Sequence, residues 1–192
     1  MLAPQREGGV PHPAGTLAGV IRTVHTSALG GAALATAREL LEVAFDGELT
    51  AEDWEHCLGG LHVLAYDGAE LIGHAAVVQR RLLHAGRALR AGYVEGVAVR
   101  ADHRRRGVAS ALMDEVETII ARAYDLGALG SSDEGLPFYL GRGWRAWTGQ
   151  LRAFTPDGLI DTPDELGWIL VFGDGLALDG DLVCGWRDGD VW

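Results

Sequence analysis

Three consecutive arginines, Arg104, Arg105 and Arg106, run into Gly107, Val108 and Ala109 where an extended apolar run gives way to a helical one. Before them, "VEGVAV" (Val94 to Val99) reads as a strand. After them, apolar residues recur at helical spacing. A strand, a short basic turn, a glycine and a helix start make a natural seat for phosphate. The first turn of a helix offers unpaired N–H groups and a partial positive charge. Gly107 lets a ligand approach the backbone closely, and the small Ala109 keeps the first turn open. Neither a Walker lysine nor a G-x-G-x-x-G fingerprint is present. A second candidate lies just upstream. Glu95 sits mid-strand, where strict alternation places it on one face with Tyr93, Val97 and Val99. Strand centres seldom carry an unpaired carboxylate, so Glu95 is a candidate functional group rather than a solvated or capping one.

Several elements must position these groups. Residues 1–18 are rich in Gly, Pro and Ala without periodicity and read as a flexible tail, leaving 19–192 as one domain. "VIRTVHT" reads as a strand, and Leu34, Ala37, Leu41 and Phe45 fall at helical spacing. Thr50 and Asp53 predict a capped short helix over "TAEDWEHCL". Asp67-Gly68 and His84-Ala85-Gly86 turn the chain between three antiparallel strands, the last ending at Val99. The next helix is expected to bury Val108, Leu112, Val116, Ile119 and Ala123, with Gly127 as its C-cap. "GALGSS" reads as a short strand and "EGLPFYLGRGW" as a short helix with Pro137 in its first turn. Strands follow over Trp144 to Phe154, in "GWILVFG" and in "DLVCGW". The fold class is α/β (α+β): a mixed, mostly antiparallel sheet with helices on both faces.

Charge narrows the ligand. The net charge is −11, every cationic side chain is arginine, and lysine and asparagine are absent. From Ala153 to Trp192 nine acids face a single base, Arg187. Such a chain does not suit nucleic acid, which needs a basic face, and it admits a cationic partner. No apolar run has the length of a membrane helix, and the N-terminus lacks a signal-like pattern, so a cytoplasmic protein is expected. Cys57 and Cys184 read as small buried hydrophobes. The histidines show no metal-ligand spacing, and no metal is expected.

The pattern R-x-x-G-x-A over Arg104, Gly107 and Ala109, with "VEGVAV" before it and "FYLGRGW" after it, resembles the GNAT acetyltransferases. "DWEHCLGGLH", "GYVEGVAVRAD", "LGALGSS" and "CGWRDGDVW" together resemble the aminoglycoside 2′-N-acetyltransferases of that superfamily, over Thr23 to Trp192. The resemblance implies the GNAT fold, with acetyl-CoA as co-substrate between splayed central strands. Val97, Ala98 and Val99 would then offer backbone groups to pantetheine, and Arg104, Arg105, Arg106, Gly107, Val108 and Ala109 would take the pyrophosphate. Glu95 becomes a water-relayed base or an acceptor anchor, and Tyr139 the general acid. The acceptor site would draw on Glu48, Asp53, Ser131, Asp190 and Trp192, the ring packing a sugar face and the α-carboxylate adding charge. Two positions depart from the family pattern: Glu48 stands where Asp is usual, and Gly130 where Ser is usual. The expected activity is acetylation of the 2′-amino group of aminoglycoside antibiotics by direct attack, in a homodimer. Another cationic amine as acceptor, or a non-catalytic acyl-CoA-binding module, are the alternatives.

Overall fold

The computed structural model describes residues 19–192, and the segment read as a tail lies outside the described residues. Strand β1 (Val20–His25) leads to helix α1 (Gly31–Ala44) and the short helix α2 (Ala51–His56). Leu34, Ala37 and Leu41 turn inward as their spacing predicts, whereas Phe45 stands past the helix end and is exposed. The capping box at α2 is complete. Asp53 N–H donates to Thr50 Oγ1, and Thr50 N–H donates to Asp53 Oδ2 at 2.9 Å.

Strands β2 (Leu61–Asp67), β3 (Glu70–His84) and β4 (Arg87–Val99) form an antiparallel meander. Helix α3 (Val108–Ala123), strand β5 (Leu126–Gly130) and helix α4 (Leu136–Gly141) follow. The chain closes with β6 (Arg145–Ala146), β7 (Leu151–Thr155), β8 (Gly158–Asp161), β9 (Ile169–Phe172) and β10 (Leu182–Cys184). All ten strands join one sheet, in which only β4–β5 and β7–β10 are parallel pairs. One face carries α3, whose Leu112, Met113, Val116 and Ile120 pack on Val63, Ala75 and Val77. The other carries α1 and α2, whose Leu41 and Trp54 pack on Leu64, Leu71 and Ala76. A third core joins Tyr93, Trp147, Leu151, Cys184 and Trp192 beneath the C-terminal segment.

Three expectations about elements are corrected. The inward stripe of α3 runs through Met113 and Ile120; Ala123 is exposed and Ile119 only partly buried. Helix α3 ends at Ala123 with Tyr124 as its C-cap, and Gly127 lies inside β5, where a Cβ would come 2.8 Å from Ile120 Cδ1. Close packing of α3 and Trp144 against β5, not a helix cap, accounts for that glycine. The single strand expected from Trp144 to Phe154 is two strands in opposite halves of the sheet, β6 at one edge and β7 next to the last strand on the other side. Thr148 and Gly149 N–H both donate to Leu178 O, which takes the chain out of β6 and across to β7. Strand β8, exposed throughout, carries no alternating signal from which to foresee it.

Candidate active site

The site begins where two parallel strands part. β4 and β5 pair only over Ala91–Tyr93 and Leu126–Ala128. Beyond Tyr93, β4 continues to Val99 on β3 alone, while β5 continues to Gly130 on β9. At the end of β4 lies a cleft of about 330 Å³, lined by Val99, Arg104, Gly107, Val108, Ala109 and Phe138 among others. A larger hollow of about 630 Å³ lies at the far end of α3 and contains none of the residues expected to act.

The turn feeding α3 is braced from behind. Arg100 grips both Asp102 oxygens at 2.7 Å and also pairs with Glu70. His103 lies 2.9 Å from Asp102 Oδ1 and 3.3 Å from Asp67 Oδ2. The paired carboxylate of Asp102 is held well below the usual range, chiefly by its bonds from Arg100. The loop is thereby tied to the β2–β3 hairpin, while Arg105 and Arg106 remain exposed. Gly107, at φ +82°, is the N-cap of α3 and no side chain caps the helix. The first-turn N–H groups therefore remain available to an anion. These residues fit a pyrophosphate. For the acetyl-CoA that the resemblance implies, Gly107→Val should raise the KM about ten-fold in folded protein, because a β-branched residue at positive φ costs roughly 1–2 kcal/mol or moves the turn. Initial rates at varied acetyl-CoA test this; an unchanged KM removes the phosphate role.

Within β4 the register slips by one residue, since His74 pairs with Ala98 but Ala76 pairs with Glu95. The bulge centres on Gly96, at φ +54°, where a Cβ would meet Cys57 Sγ at 2.7 Å and Leu41 Cδ1 at 3.0 Å. This corrects the expected alternation. Val97 and Val99 pack with the core of Val94, whereas Tyr93 belongs to the core beneath the C-terminal segment, so Val97 and Val99 do not share the face of Glu95. The Gly96 carbonyl accepts from His74 Nδ1 at 2.7 Å. His74 Nε2 lies 2.9 Å from His62 Nδ1, and His62 Nε2 lies 2.9 Å from Thr26 Oγ1. One proton arrangement satisfies this chain with neutral rings: His74 donates to Gly96, His62 to His74, and the Thr26 hydroxyl to His62.

Both rings are wholly buried. Burial lowers His74 to about 4 and moves His62 in the same direction. The unfolded chain takes up protons near pH 6.5 and the folded one does not, so stability falls as pH drops from 6.5 towards 4. His74 alone should account for about 2 kcal/mol of loss between pH 7.5 and pH 5. Urea unfolding at the two values tests this. In His74→Gln the difference should shrink by about that amount, and an unchanged difference contradicts the assignment.

Glu95 and the C-terminal segment meet through a residue that the sequence reading left without a role. Arg187 Nη1 donates to Glu95 Oε1 at 2.5 Å, Nε to Asp190 O at 2.6 Å, and Nη2 to Trp192 O. Only 15 % of either side chain, Arg187 or Glu95, is exposed. Burial pushes the Glu95 carboxyl above its usual range; Arg187 and Arg80 oppose the rise, and Asp190 adds to it. Asp190 Oδ1 accepts from Trp192 N–H at 3.0 Å. The Trp192 ring, expected to pack a sugar, is instead core. It is 3 % exposed and its Nε1 donates to Thr162 Oγ1 at 2.8 Å. One signal in the sequence could have found Arg187: it is the only base among the last forty residues.

Helix α4 brings Tyr139 onto α3. Arg142 donates to Glu117 at 2.8 and 2.7 Å and to Asp114 at 2.6 Å, and Trp144 Nε1 donates to Glu117 at 2.9 Å. Tyr139 packs edge-on to Phe138 and Trp144, and burial raises its phenol to about 12, so it keeps its proton at neutral pH. Ser131 lies near it, both groups bordering Gly135. Glu48 is exposed in the loop between α1 and α2, and no hydrogen bond among the described residues ties it to Glu95. Asp53 caps α2 and stands on the Cys57 side of Glu95, both acids acting on that thiol. Burial is the main force holding the Cys57 and Cys184 thiols protonated, which makes neither a nucleophile.

A sheet split beside an anion-accepting helix start, with a buried carboxylate on one strand of the split, defines an N-acyltransferase site. The chain belongs to the GNAT acetyltransferases: residues 28–146 match the acetyltransferase (GNAT) domain. It is 47 % identical over 196 residues to the aminoglycoside 2′-N-acetyltransferase of Mycolicibacterium fortuitum, covering 99 % of this chain and 96 % of that one. Among solved structures, the GNAT family N-acetyltransferase YhbS from Escherichia coli, in complex with CoA, matches with a TM-score of 0.64 at 18 % identity. That match covers 91 % of this chain and 93 % of the other. Eis1 from Mycobacterium abscessus matches with a TM-score of 0.57 at 27 % identity, over 70 % of this chain and 33 % of its own.

Proposed function

We propose that the protein transfers the acetyl group of acetyl-CoA to the 2′-amino group of aminoglycoside antibiotics, an activity that confers resistance. One observation carries this reading: the 47 % identity to an aminoglycoside 2′-N-acetyltransferase spans 99 % of the chain, and so includes the segment folded against Glu95. The acid excess supports it, because a polycationic acceptor is drawn to a chain of net charge −11.

Acetyl-CoA, when bound, supplies the acetyl group as a reactive thioester. Residues Arg104–Ala109 hold its pyrophosphate through backbone amides and positive charge, and Val97, Ala98 and Val99 line the split for pantetheine. The Val97 N–H, beside the bulge, polarises the acetyl carbonyl. Glu95 takes the proton from the attacking amine through a water. Clustered ammonium groups lower one another's proton affinity, so a modest base suffices. As the new amide forms and the carbon–sulfur bond breaks, Tyr139 donates its phenolic proton to the departing sulfur. Asp190 and Glu95 seat ammonium groups of the acceptor, with Ser131, Asp53, Glu48 and the backbone end of Trp192 around them. No metal enters this scheme. Dependence on acetyl-CoA and two unpaired buried cysteines suit a cytoplasmic protein. Exposed Phe154, Leu159 and Ile160 on the β7–β8 edge support a homodimer, which sedimentation equilibrium tests.

The reaction is tested by release of CoA thiol with kanamycin B, which carries a 2′-amine, beside kanamycin A, which carries a 2′-hydroxyl. Turnover of kanamycin B alone is expected. Equal turnover of both moves the reaction to another amine. Turnover of neither, with acetyl-CoA bound, moves the acceptor outside the aminoglycosides and into polyamines or peptide amines.

A further inference from the structure

The closing segment is strapped over the site by two arginines that share one aromatic ring. The Arg80 guanidinium lies 4.6 Å and that of Arg187 5.5 Å from the centroid of Tyr93. Arg80 Nη2 donates to Val191 O at 2.6 Å and to Gly185 O at 3.1 Å. Arg187 binds the main-chain oxygens of Asp190 and Trp192 and uses its remaining arm on Glu95. Among the described residues, Glu95 Oε2 accepts no hydrogen bond, whereas Oε1 is taken by Arg187.

We infer that Arg187 is a positioning residue: it pins Glu95 through Oε1, leaves Oε2 facing the acceptor, and couples that orientation to the fold of residues 188–192. The kinetic half of this inference rests on the acetyl-transfer reading above; the ionic half does not. A planar guanidinium with three arms in use fixes both a side-chain carboxylate and two main-chain oxygens, which a lysine ammonium on a flexible stem cannot do at once. The ion pair also sets the charge of Glu95. The groups facing that carboxylate are Arg187 and Asp190 from the closing segment, Arg80 from β3, Tyr93 from its own strand and Cys57 from the end of α2. Burial favours the protonated acid, and Arg187 is the largest force against it. Without Arg187, Glu95 would hold its proton to higher pH and be unable to accept one from an amine.

The experiment follows the Glu95 carboxyl directly by 13C NMR in glutamate-labelled full-length protein, with Glu95→Gln identifying its resonance. In Arg187→Gln the titration midpoint should rise by about one to three pH units. Arg187→Lys keeps the charge but not the three-armed geometry. Its midpoint should stay within about half a unit of the parent, while its KM for kanamycin B rises about ten-fold and that for acetyl-CoA does not change. An unmoved midpoint in Arg187→Gln overturns the ionic half, and an unchanged acceptor KM in Arg187→Lys overturns the coupling. Should Arg187→Gln fail to fold, the lysine variant alone decides. A parent enzyme that shows the expected Glu95 coupling but acetylates no aminoglycoside overturns the acetyl-transfer reading and leaves the ion pair standing.

Discussion

Replacing Glu95 with glutamine should lower kcat/KM for the aminoglycoside by about 10²–10³-fold and leave the acetyl-CoA KM within about two-fold of the parent. The side chain keeps nearly the same volume, so the packing of the bulge and of Tyr93 is retained, while the carboxylate proposed to take the proton is gone. The loss should be greatest at low pH. There the acceptor amine is protonated and the reaction most needs a base; at high pH the free amine is already present and part of the rate returns. A loss that is flat from pH 6 to pH 9 would recast Glu95 as an ammonium anchor. The variant leaves Arg187 without its anionic partner in a nearly closed site, so stability should fall as well. Kinetics are therefore read at a temperature where unfolding curves show the variant fully folded.

Tyr139→Phe is expected to cost about 10²-fold in kcat. The phenyl ring preserves the edge-on contacts with Phe138 and Trp144 and removes only the hydroxyl, so the unfolding free energy should change by less than about 1 kcal/mol. Because burial raises the phenol to about 12, the acid form persists through the alkaline range. The parent enzyme should show no fall in kcat attributable to this group below about pH 10. Steady-state kcat at saturating concentrations of both substrates, in parent and variant, tests both statements. An unchanged kcat in Tyr139→Phe would return Tyr139 to a packing role.

The periodic parts of this fold were readable in advance. The apolar stripe of α1, the capping box at Thr50 and Asp53, and the turns at Gly68 and Gly86 arise from local chemistry, which a sequence displays directly. The turn into α3 was readable for the same reason: Arg104–Ala109 carries its charge, its glycine and its helix start within six residues. What escaped depends on contacts distant in sequence. The bulge at Gly96 is set by Cys57, Leu41 and His74, and it turned Val97 and Val99 away from the face that strict alternation assigned them. The strand expected through Trp144–Phe154 breaks because the amides of Thr148 and Gly149 are taken by Leu178, thirty residues on in Thr148's case. The family resemblance set the Trp192 ring against a sugar face, yet that ring completes a core built from β4, β5 and β10. Arg187 and Glu95 lie ninety-two residues apart, and only folding joins them. The buried pair His62 and His74 had no motif to mark it, because its partners are a main-chain carbonyl and a threonine hydroxyl.

The most direct measurement on the central claim is the position of the new amide in the product formed from acetyl-CoA and kanamycin B, read by two-dimensional NMR. A correlation from the acetyl carbonyl to the proton on C2′ is the predicted result. Acetylation confined to any other amine of the antibiotic, with the 2′-amine left free, would contradict it.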